Sequence, residues 1–273
     1  MNTWFEYQPV DTVFCKGAEP MEMGEHHSAS SIFPPPPETI AGALRSAVLE
    51  QQKISIPDYY QGNVDKEIIT AIGRAGQKAP FEIIGPFFLN CKECYVPAPY
   101  FWFTEKTQLK NNSKVTIYRA RPLSTSLIKS DLPASRLYWA KGKKDILTTL
   151  GGHYIKMTDL FAQKEQIEVK KSSDFFIFEQ RTGIALSHNR TVREGHLYSF
   201  NHGRLKNNVK LVFGITTTLP LTDRGVLKLG GEQRFGYYRI LSKPPLQLEQ
   251  QTNNDHHYMS LSLYPVNQAH ADM

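Results

Sequence analysis

The segment "SSIFPPPPETIAGALRSAVLE" (residues 30–50) joins four consecutive prolines directly to a helical pattern. Proline fixes φ and lacks a backbone N–H, so Pro34–Pro37 predict a short, rigid, extended segment. The residues after it carry an apolar stripe at helical spacing, which comprises Ile40, Ala43, Leu44, Ala47 and Val48. Thr39 is the expected N-cap, because its hydroxyl can accept a hydrogen bond from an early helix amide. We therefore expect the extended segment to fix the position of a helix N-terminus.

The start of this helix is a candidate phosphate-binding position. A helix N-terminus offers free N–H groups and a partial positive charge, which favour anions. Gly42 lowers helix propensity by about 1 kcal/mol relative to alanine, and a tolerated cost of this kind often marks a close approach of the backbone to another group. The alternative is a proline-stiffened turn before an ordinary core helix, and the segment is compatible with both interpretations.

Length and composition fit one large or two small globular domains. The chain has 273 residues, of which 40% are hydrophobic. No apolar run reaches the roughly 20 residues that a transmembrane helix needs, and the N-terminal "MNTWFEYQPV" lacks the basic and then apolar pattern of a signal peptide. Three cysteines do not form a disulfide framework, so we expect a protein of the reducing cytoplasm.

The positive charge is concentrated in one segment. The formal net charge is +6, and between Arg181 and Lys210 six arginine and lysine residues stand against the single acid Glu194. A local excess of this kind is the electrostatic signature of an anionic partner such as RNA. The alternative is a solvated loop that happens to be basic.

Strand patterns outnumber helical patterns along the chain. Residues 3–15 read as a strand, residues 64–74 as a short second helix, and the segment from residue 174 to 241 as several strands, with turns expected at Arg181–Gly183 and at Gly195. This order predicts an α+β protein built from tandem ferredoxin-like (RRM-type) domains with insertions and a Gly-rich loop. The expected boundaries are 1–170 for the N-terminal domain and 171–273 for the C-terminal domain.

The Gly-rich loop is the stretch "GGEQRFG" (residues 230–236). Consecutive glycines let a backbone approach a ligand closely and present N–H groups to it, and Arg234 adds a guanidinium suited to phosphate. We expect a side chain at Gly231 either to crowd RNA or to force an unfavourable φ. A tight turn between two strands explains the loop about as well.

The residues that metal or acid–base chemistry would need are sparse. Cys91 and Cys94 form a C-x-x-C pair, but a structural zinc site requires four ligands, and we expect buried thiols and no metal or cofactor. His26 and His27 are clustered histidines that could suit general acid–base cleavage of RNA, but paired histidines in a polar loop usually have no catalytic role.

Five segments in order, "DTVFC", "SSIFPPPPETIAGALR", "GPFFL", "EQRTGIALSHNRTVREGHLYSF" and "LGGEQRFGYYRI", span about residues 10 to 240. Together they resemble the third subunit of type III-B (Cmr) CRISPR effector complexes, which belongs to the RAMP superfamily of CRISPR RNA-binding proteins. The resemblance implies tandem ferredoxin-like domains, no catalytic centre, and a subunit that grips the 5′ handle of the CRISPR RNA. It also implies docking onto the large polymerase-like subunit and the adjacent backbone subunit.

The resemblance also implies where RNA would be bound. The proline segment and helix would hold the backbone near the handle, residues 189–193 would form a thumb-like hairpin, and the Gly-rich loop would face it. The expected RNA-binding residues are Lys16, Thr39, Gly42, Arg45, Arg181, His188, Asn189, Arg190, Arg193, Gly230, Gly231 and Arg234.

Two other functions stay open at this stage. One is a metal-independent endoribonuclease that processes precursor CRISPR RNA, as a related branch of the superfamily does. The other is a subunit that contacts only proteins and whose basic charge is incidental. Cleavage of repeat RNA without metal would identify the first, and failure to bind RNA would identify the second.

Overall fold

The computed structural model describes residues 2–17, 28–29, 31–111, 113–122, 138–139, 146–162, 164–186 and 192–245. These residues form two compact units. The first combines the segment up to Cys91 with the segment from Phe175 onward, and the second is the segment between them, Lys92–Asp174. The chain therefore returns to the first unit after the second, and this division differs from the predicted consecutive domains 1–170 and 171–273.

The secondary structure of the described residues is mixed, with strands in the majority. The strands are β1 (Thr3–Pro9), β2 (Ser28–Ala29), β3 (Ile83–Asn90), β4 (Glu93–Pro97), β5 (Trp102–Glu105), β6 (Lys114–Thr116), β7 (Tyr118–Arg119), β8 (Arg121–Pro122), β9 (Tyr138–Trp139), β10 (Leu147–Thr149), β11 (His153–Lys156), β12 (Gln166–Lys171), β13 (Phe176–Leu186), β14 (Val192–Leu205), β15 (Val209–Ile215), β16 (Arg224–Lys228) and β17 (Phe235–Leu241). The α-helices are α1 (Pro37–Gln51), α2 (Ile56–Gln61), α3 (Lys66–Ile72), α4 (Lys106–Asn111) and α5 (Met157–Phe161).

Helix α1 begins at Pro37, the last of the four prolines, and its N-cap is Pro36. Proline is favoured at the first helical position because its φ is already helical and its missing N–H would have no intrahelical partner. Thr39 is the third residue of the helix, where its N–H donates to the Pro36 carbonyl at 3.0 Å, so the N-cap prediction is wrong. The predicted apolar stripe is confirmed, because all five of its members are buried.

The main sheet of the first unit is antiparallel, with the strand order β16-β17-β1-β15-β3. Helix α1 packs against β3 and β16. Beneath it lie buried aromatic side chains, among them Phe5 and Phe213, whose ring centroids are 5.3 Å apart. Burial of each such ring contributes about 1.5–3 kcal/mol. The prediction of an α+β protein is confirmed at this level, and its sheets are mostly antiparallel.

A long hairpin, formed by β13 and β14, also belongs to this unit. Its pairing runs from Phe176 opposite Leu205 to Leu186 opposite Val192, and at about 3.4 Å per residue β13 spans about 35 Å. The turns predicted at Arg181–Gly183 and at Gly195 are wrong, because both positions lie inside these strands. Residues 187–191, which connect the strands, lie outside the described residues.

The second unit carries the sheet β4-β11-β12-β6 and two smaller sheets, β10-β5-β7 and β8-β9. Helix α5 packs against β4 and β11. Trp102 is buried, and the Arg119 guanidinium lies 4.5 Å from the centroid of its ring.

Helix α3 matches the predicted second helix, whereas α2 was not predicted. Its N-cap is Ser55, whose hydroxyl accepts from the Asp58 N–H at 3.1 Å. Over the residues that the structure describes, no helix combines the length and the apolar character that crossing a bilayer requires.

Candidate functional site

A cavity of about 420 Å³ in the first unit brings together five of the residues that the sequence predicted to bind RNA. They are Lys16, Thr39, Gly42, Gly230 and Gly231, and the other lining residues are Cys15, Ala43, Ser46 and Lys228. Residues far apart in sequence therefore meet at one place, formed by the segment after β1, the first half of α1 and the loop before β17.

One wall of the cavity is the segment after β1. Lys16 pairs with Ser31 in an isolated antiparallel bridge, and the Cys15 N–H donates to Ser31 Oγ at 3.2 Å. Val13 pairs in the same way with Gly203 in β14. The segment is thus held on both sides by backbone hydrogen bonds, which fixes where the Lys16 side chain starts.

A second wall is one face of α1. Thr39, Gly42 and Ser46 follow at intervals of three and four residues, so they lie on one side of the helix. A Cβ built on Gly42 would meet no other atom within 4 Å. Gly42 therefore leaves open space over the helix. The close approach of another group that its low helix propensity suggested is not made by any atom of the described protein.

The third wall is the Gly-rich loop. Gly230 has φ +88°, and a Cβ at this position would lie 2.3 Å from the Phe14 carbonyl oxygen. The next N–H, that of Gly231, donates to the same oxygen at 2.7 Å. The residue that requires glycine is therefore Gly230, and the unfavourable φ considered for Gly231 is absent, since the φ of Gly231 lies outside the left-handed region.

The loop closes with a strained turn. Glu232 and Gln233 have φ values of +56° and +54°, and the Arg234 N–H donates to the Gly231 carbonyl at 3.3 Å. These are the features of a type I′ turn, which normally uses asparagine and glycine. Left-handed backbone costs about 1–2 kcal/mol for each residue that carries a side chain, so the surrounding contacts must hold this turn in place.

The polar groups that line the cavity are cationic or neutral. Among the described residues that line it, Lys16 and Lys228 are the charged ones, and Lys228 has a weak ion pair with Glu50 at 3.4 Å, both largely exposed. Burial raises the pKa of the Cys15 thiol to about 12, so the thiol stays neutral. Lysine ammonium groups, hydroxyls and open glycine backbone suit the binding of phosphate and sugar groups.

Arg45 does not line this cavity. Its guanidinium donates to the Gln77 carbonyl at 2.9 Å, to the Arg74 carbonyl at 2.5 Å and to the Tyr59 hydroxyl. It connects α1 to the segment after α3. In this structure Arg45 stabilises the first unit, and its predicted contact with RNA would require these bonds to break.

A network of ion pairs is centred on Asp11, directly after β1. Its carboxylate accepts hydrogen bonds from Arg181 and Arg204, each at 2.7 Å, and from Arg234 at 3.2 Å. Glu179 bonds to the first two arginines and Glu232 to the third. The network joins the end of β1, the hairpin β13–β14 and the Gly-rich loop, with three acids for three cations.

The network changes the interpretation of the basic segment from Arg181 to Lys210. Arg181 and Arg204 belong to that segment, and both are neutralised by acids that lie outside it in the sequence. Lys210, at the end of the segment, pairs with Glu6 at 2.7 Å. Half of the six predicted cations therefore already have carboxylate partners.

The electrostatics of the network favour its charged forms. Burial raises the pKa of Asp11, but the hydrogen bonds and charges of Arg181 and Arg204 outweigh it, so the pKa of the carboxyl is lowered overall. The hydrogen bond from Arg204 is the largest cause of the lowered pKa of Glu179.

His202 lies beneath the network and is fully buried. Its Nδ1 is 3.1 Å from Thr12 Oγ1, and its Nε2 is 3.5 Å from Glu232 Oε2 without forming a hydrogen bond. Burial lowers the pKa of His202, helped by the charge of Arg234 and opposed by Glu232. The side chain is therefore neutral near pH 7 and supports the loop from below.

The buried state of His202 predicts a pH dependence of stability. Its pKa is lowered from 6.5 in the folded protein, so the unfolded chain takes up the proton more readily and stability falls as the pH drops through 6.5 toward the folded value. We expect His202→Gln to remove this part of the pH dependence. Urea unfolding of both proteins between pH 8 and pH 5 measures it, and parallel curves for the two proteins would contradict the assignment.

Several predicted residues cannot be compared with the cavity. His188, Asn189 and Arg190 lie outside the described residues, as do His26 and His27. Arg193 belongs to β14, where only its backbone is described. Their roles remain predictions.

Three residues of this region were not predicted. Ser46 continues the spacing of Thr39 and Gly42 along α1, and Lys228 stands two residues before the glycines, so a search for polar residues around each motif would have found both. Asp11 had no local signal, because its three partners come from distant parts of the chain.

The prediction of buried thiols in the C-x-x-C pair is confirmed for Cys94 and wrong for Cys91. Cys94 is buried, which raises its pKa to about 12, and Cys91 is exposed. Among the side chains that the structure describes, no group of three or more histidine, cysteine or acidic residues is arranged to hold a metal ion.

Comparison with solved structures gives distant similarities. The chain is similar to a chain of a structure described as the type III-B Cmr-beta bound to cognate target RNA and AMPPnP, with a TM-score of 0.44 and 16% identity, covering 89% of this chain and 64% of that chain. A second structure, of the type III-B Cmr-beta bound to cognate target RNA, gives a TM-score of 0.45 and 16% identity, with coverages of 89% and 65%. The chain thus spans slightly less than two thirds of these solved chains. No curated protein matches the sequence.

Comparison with protein families is decisive. The model of the family described as "CRISPR-associated protein (Cas_Cmr3)" matches residues 5–263, which is most of the chain. The match includes the proline segment, the hairpin strands and the Gly-rich loop that carried the resemblance, and it confirms that resemblance. The chain belongs to the Cas_Cmr3 family of CRISPR-associated proteins.

Proposed function

We propose that this protein is a non-catalytic subunit of a type III CRISPR RNA-guided effector complex and that it binds the 5′ handle of the CRISPR RNA. The observation that carries the proposal is the cavity, where Lys16, Thr39, Gly42, Gly230 and Gly231 meet. Five residues chosen from separate motifs lie around one opening, although nothing in their sequence spacing requires it.

The chemistry of the cavity supports holding RNA. Lys16 and Lys228 supply positive charge for phosphate, Thr39 and Ser46 supply hydroxyls, and Gly42 leaves room over the helix. Contacts of this type position a nucleic-acid backbone. The Cys15 thiol does not suit general acid–base cleavage of RNA, because burial raises its pKa to about 12 and keeps it neutral.

The first unit is, in this proposal, one of the predicted ferredoxin-like domains. The strand order β17-β1-β15-β3 places the fourth strand beside the first and the third between the first and the second, if β1, β3, β15 and β17 are counted as the four strands. Helix α1 follows the first strand, as in the β-α-β-β-α-β pattern, whereas the described residues between the third and fourth strands form β16 in place of the second helix. The second unit and the hairpin β13–β14 would both be insertions between the second and third strands.

The hairpin β13–β14 is the proposed thumb against the guide RNA. Its strands have 11 and 14 residues, and the ion pairs of Arg181 and Arg204 with Asp11 hold its base beside the Gly-rich loop. Arg190 and Arg193 remain the proposed contacts near its end. The large polymerase-like subunit and the backbone subunits are the proposed protein partners.

The proposal predicts that removal of the two cavity lysines weakens RNA binding and lowers its salt dependence. Each phosphate contact on single-stranded RNA contributes about 0.7 to the slope of log K against log salt, so the variant Lys16→Ala/Lys228→Ala should lose about 1.4. Affinity for an RNA with a 5′ handle, measured by fluorescence anisotropy at several salt concentrations, gives the slope.

The control for this experiment is Lys66→Ala/Lys78→Ala. Both lysines are exposed in the first unit, away from the cavity lining, and their removal changes the net charge by the same amount. We expect this control to keep the wild-type slope. Equal slopes for the cavity variant and the control would contradict the proposed site.

A further inference from the structure

The strands β16 and β17 form one edge of the main sheet, and their outer face carries exposed aromatic rings. Along β17, Phe235, Tyr237 and Arg239 alternate with Gly236 and Tyr238. Tyr238 is buried, and its hydroxyl accepts from Gln51 on α1 at 2.8 Å. The alternation of a strand therefore directs Phe235 and Tyr237 to the side of the sheet opposite α1.

The rings on this outer face are open to solvent. Tyr237 is 61% exposed, Phe235 44% and Val226, the residue opposite Tyr237 in the register, 43%. Large apolar side chains that serve the core are covered, as Tyr238 is on the other face. A group of three exposed apolar residues on neighbouring strand positions is typical of a binding surface.

The same face carries a cluster of cations. Arg224 lies directly opposite Arg239 in the β16–β17 register, and two like charges in such a pair destabilise a sheet. Arg239 bonds to Glu6 at 3.0 Å, and Lys210 bonds to the same carboxylate at 2.7 Å. Arg224 has no carboxylate partner among the described residues. Three cations therefore share one acid, which leaves this face positively charged.

We propose that this face is a second RNA-binding surface, which stacks unpaired bases of single-stranded RNA on Phe235 and Tyr237 and holds the phosphates with Arg224 and Arg239. Aromatic residues on a sheet, flanked by cations, are the arrangement that binds unpaired bases in other RNA-binding sheets. Phe235 and Tyr237 are two steps apart along β17, so their backbone positions are separated by about 6.8 Å.

RNA fits the face better than a protein partner does. An apolar protein surface would have to bury Arg224 without a carboxylate, at a cost in desolvation. RNA supplies both the flat apolar groups for the rings and the anions for the arginines. None of these residues lines the cavity of the proposed function, so either site can fail without the other.

The test measures binding of the full-length protein to a twelve-residue oligouridylate, which lacks any handle sequence. Phe235→Leu and Tyr237→Leu remove the ring but keep an apolar side chain, whereas Phe235→Tyr and Tyr237→Phe keep the ring. We expect each leucine variant to bind about 5- to 100-fold more weakly. We expect the ring-preserving variants to stay within about twofold of wild type. Both positions are exposed, so urea unfolding should show similar stability for the four variants and the wild type.

Two further measurements distinguish the possible occupants. Arg224→Gln should lower the slope of log K against log salt by about 0.7, and a fully paired RNA duplex should bind the wild type and the leucine variants equally. Unchanged oligouridylate binding in the leucine variants would overturn the proposal. So would leucine variants that bind the oligonucleotide normally but no longer copurify with the neighbouring subunits, since the face would then serve a protein.

Discussion

Replacing Gly230 with alanine is expected to lower the free energy of unfolding by about 2–4 kcal/mol and to weaken binding of handle RNA. The backbone at Gly230 has φ +88°, and the added Cβ would lie 2.3 Å from the Phe14 carbonyl oxygen. Relief of that contact requires a shift of the loop away from the segment after β1. The shift would also break the hydrogen bond from the Gly231 N–H to the same oxygen, at 2.7 Å.

Two further glycine variants serve as controls. Gly42→Ala adds a Cβ into open space, so it should leave stability unchanged or raise it slightly through helix propensity. Gly231→Ala places its Cβ 3.0 Å from Phe14 Cδ1, and we expect a smaller loss than at Gly230. Urea unfolding and RNA binding are measured on all three variants. Equal stability of Gly230→Ala and Gly42→Ala would show that the loop does not depend on its left-handed glycine.

Asp11→Asn is expected to lower the free energy of unfolding by about 1–2 kcal/mol near pH 7. The substitution keeps the size of the side chain but removes the charge that Arg181, Arg204 and Arg234 share. The arginines are only partly buried, so solvent screens them and the cost is smaller than for a fully buried pair. The loss of stability should also appear as faster hydrogen exchange of the backbone amides in the Gly-rich loop and at the base of the hairpin β13–β14.

The pH dependence of this effect has a defined sign. The pKa of Asp11 is lowered below 3.8 in the folded protein, so its contribution is complete above that value and is lost as the pH falls through the folded pKa. The difference between the wild type and Asp11→Asn should therefore shrink in acid. Asp223→Asn, at an exposed residue without an ion pair among the described side chains, is the matched control. A control variant as unstable as Asp11→Asn would contradict the network.

The part of the fold that the sequence predicts best is local. The spacing of Ile40, Leu44 and Val48 predicted α1 because helical periodicity depends only on neighbouring residues. The prolines were predicted to be extended up to Pro37, but Pro37 is already the first residue of α1, so the helix begins three residues earlier than a Thr39 N-cap would allow. Proline at the first helical position replaced the expected N-cap.

In the second half of the chain, the pairing of distant strands overrides the turns that local composition predicts. Arg181–Gly183 resembles a turn by composition, yet Gly183 pairs with Tyr198 inside a long hairpin. A glycine inside a strand weakens it only modestly, and the many other pairs of β13 and β14 compensate. The charge of a segment was equally misleading, because Asp11 and Glu179 neutralise Arg181 and Arg204 from outside that segment.

The sequence named five residues that line the cavity, but it did not predict how they are arranged. Glycine patterns identified Gly42, Gly230 and Gly231, and the structure brings them to one cavity. The requirement for glycine at position 230 comes from the nearby Phe14 carbonyl oxygen. Because Phe14 lies more than 200 residues away in the sequence, local patterns could not show this requirement. Arg45 belongs to the same motif, but its side chain contacts the segment after α3 instead of the cavity. A change of one position along a helix turns a side chain to a different face.

The most direct test of the central claim is a crosslinking map of the bound handle. An RNA with a 5′ handle that carries 4-thiouridine at one position at a time is bound to the protein purified with its neighbouring subunits, irradiated and analysed by mass spectrometry of the crosslinked peptides. The cavity predicts crosslinks to peptides that contain residues 13–16, 39–46 or 228–231. Handle crosslinks that fall only in the second unit, Lys92–Asp174, would contradict the claim that this cavity holds the 5′ handle.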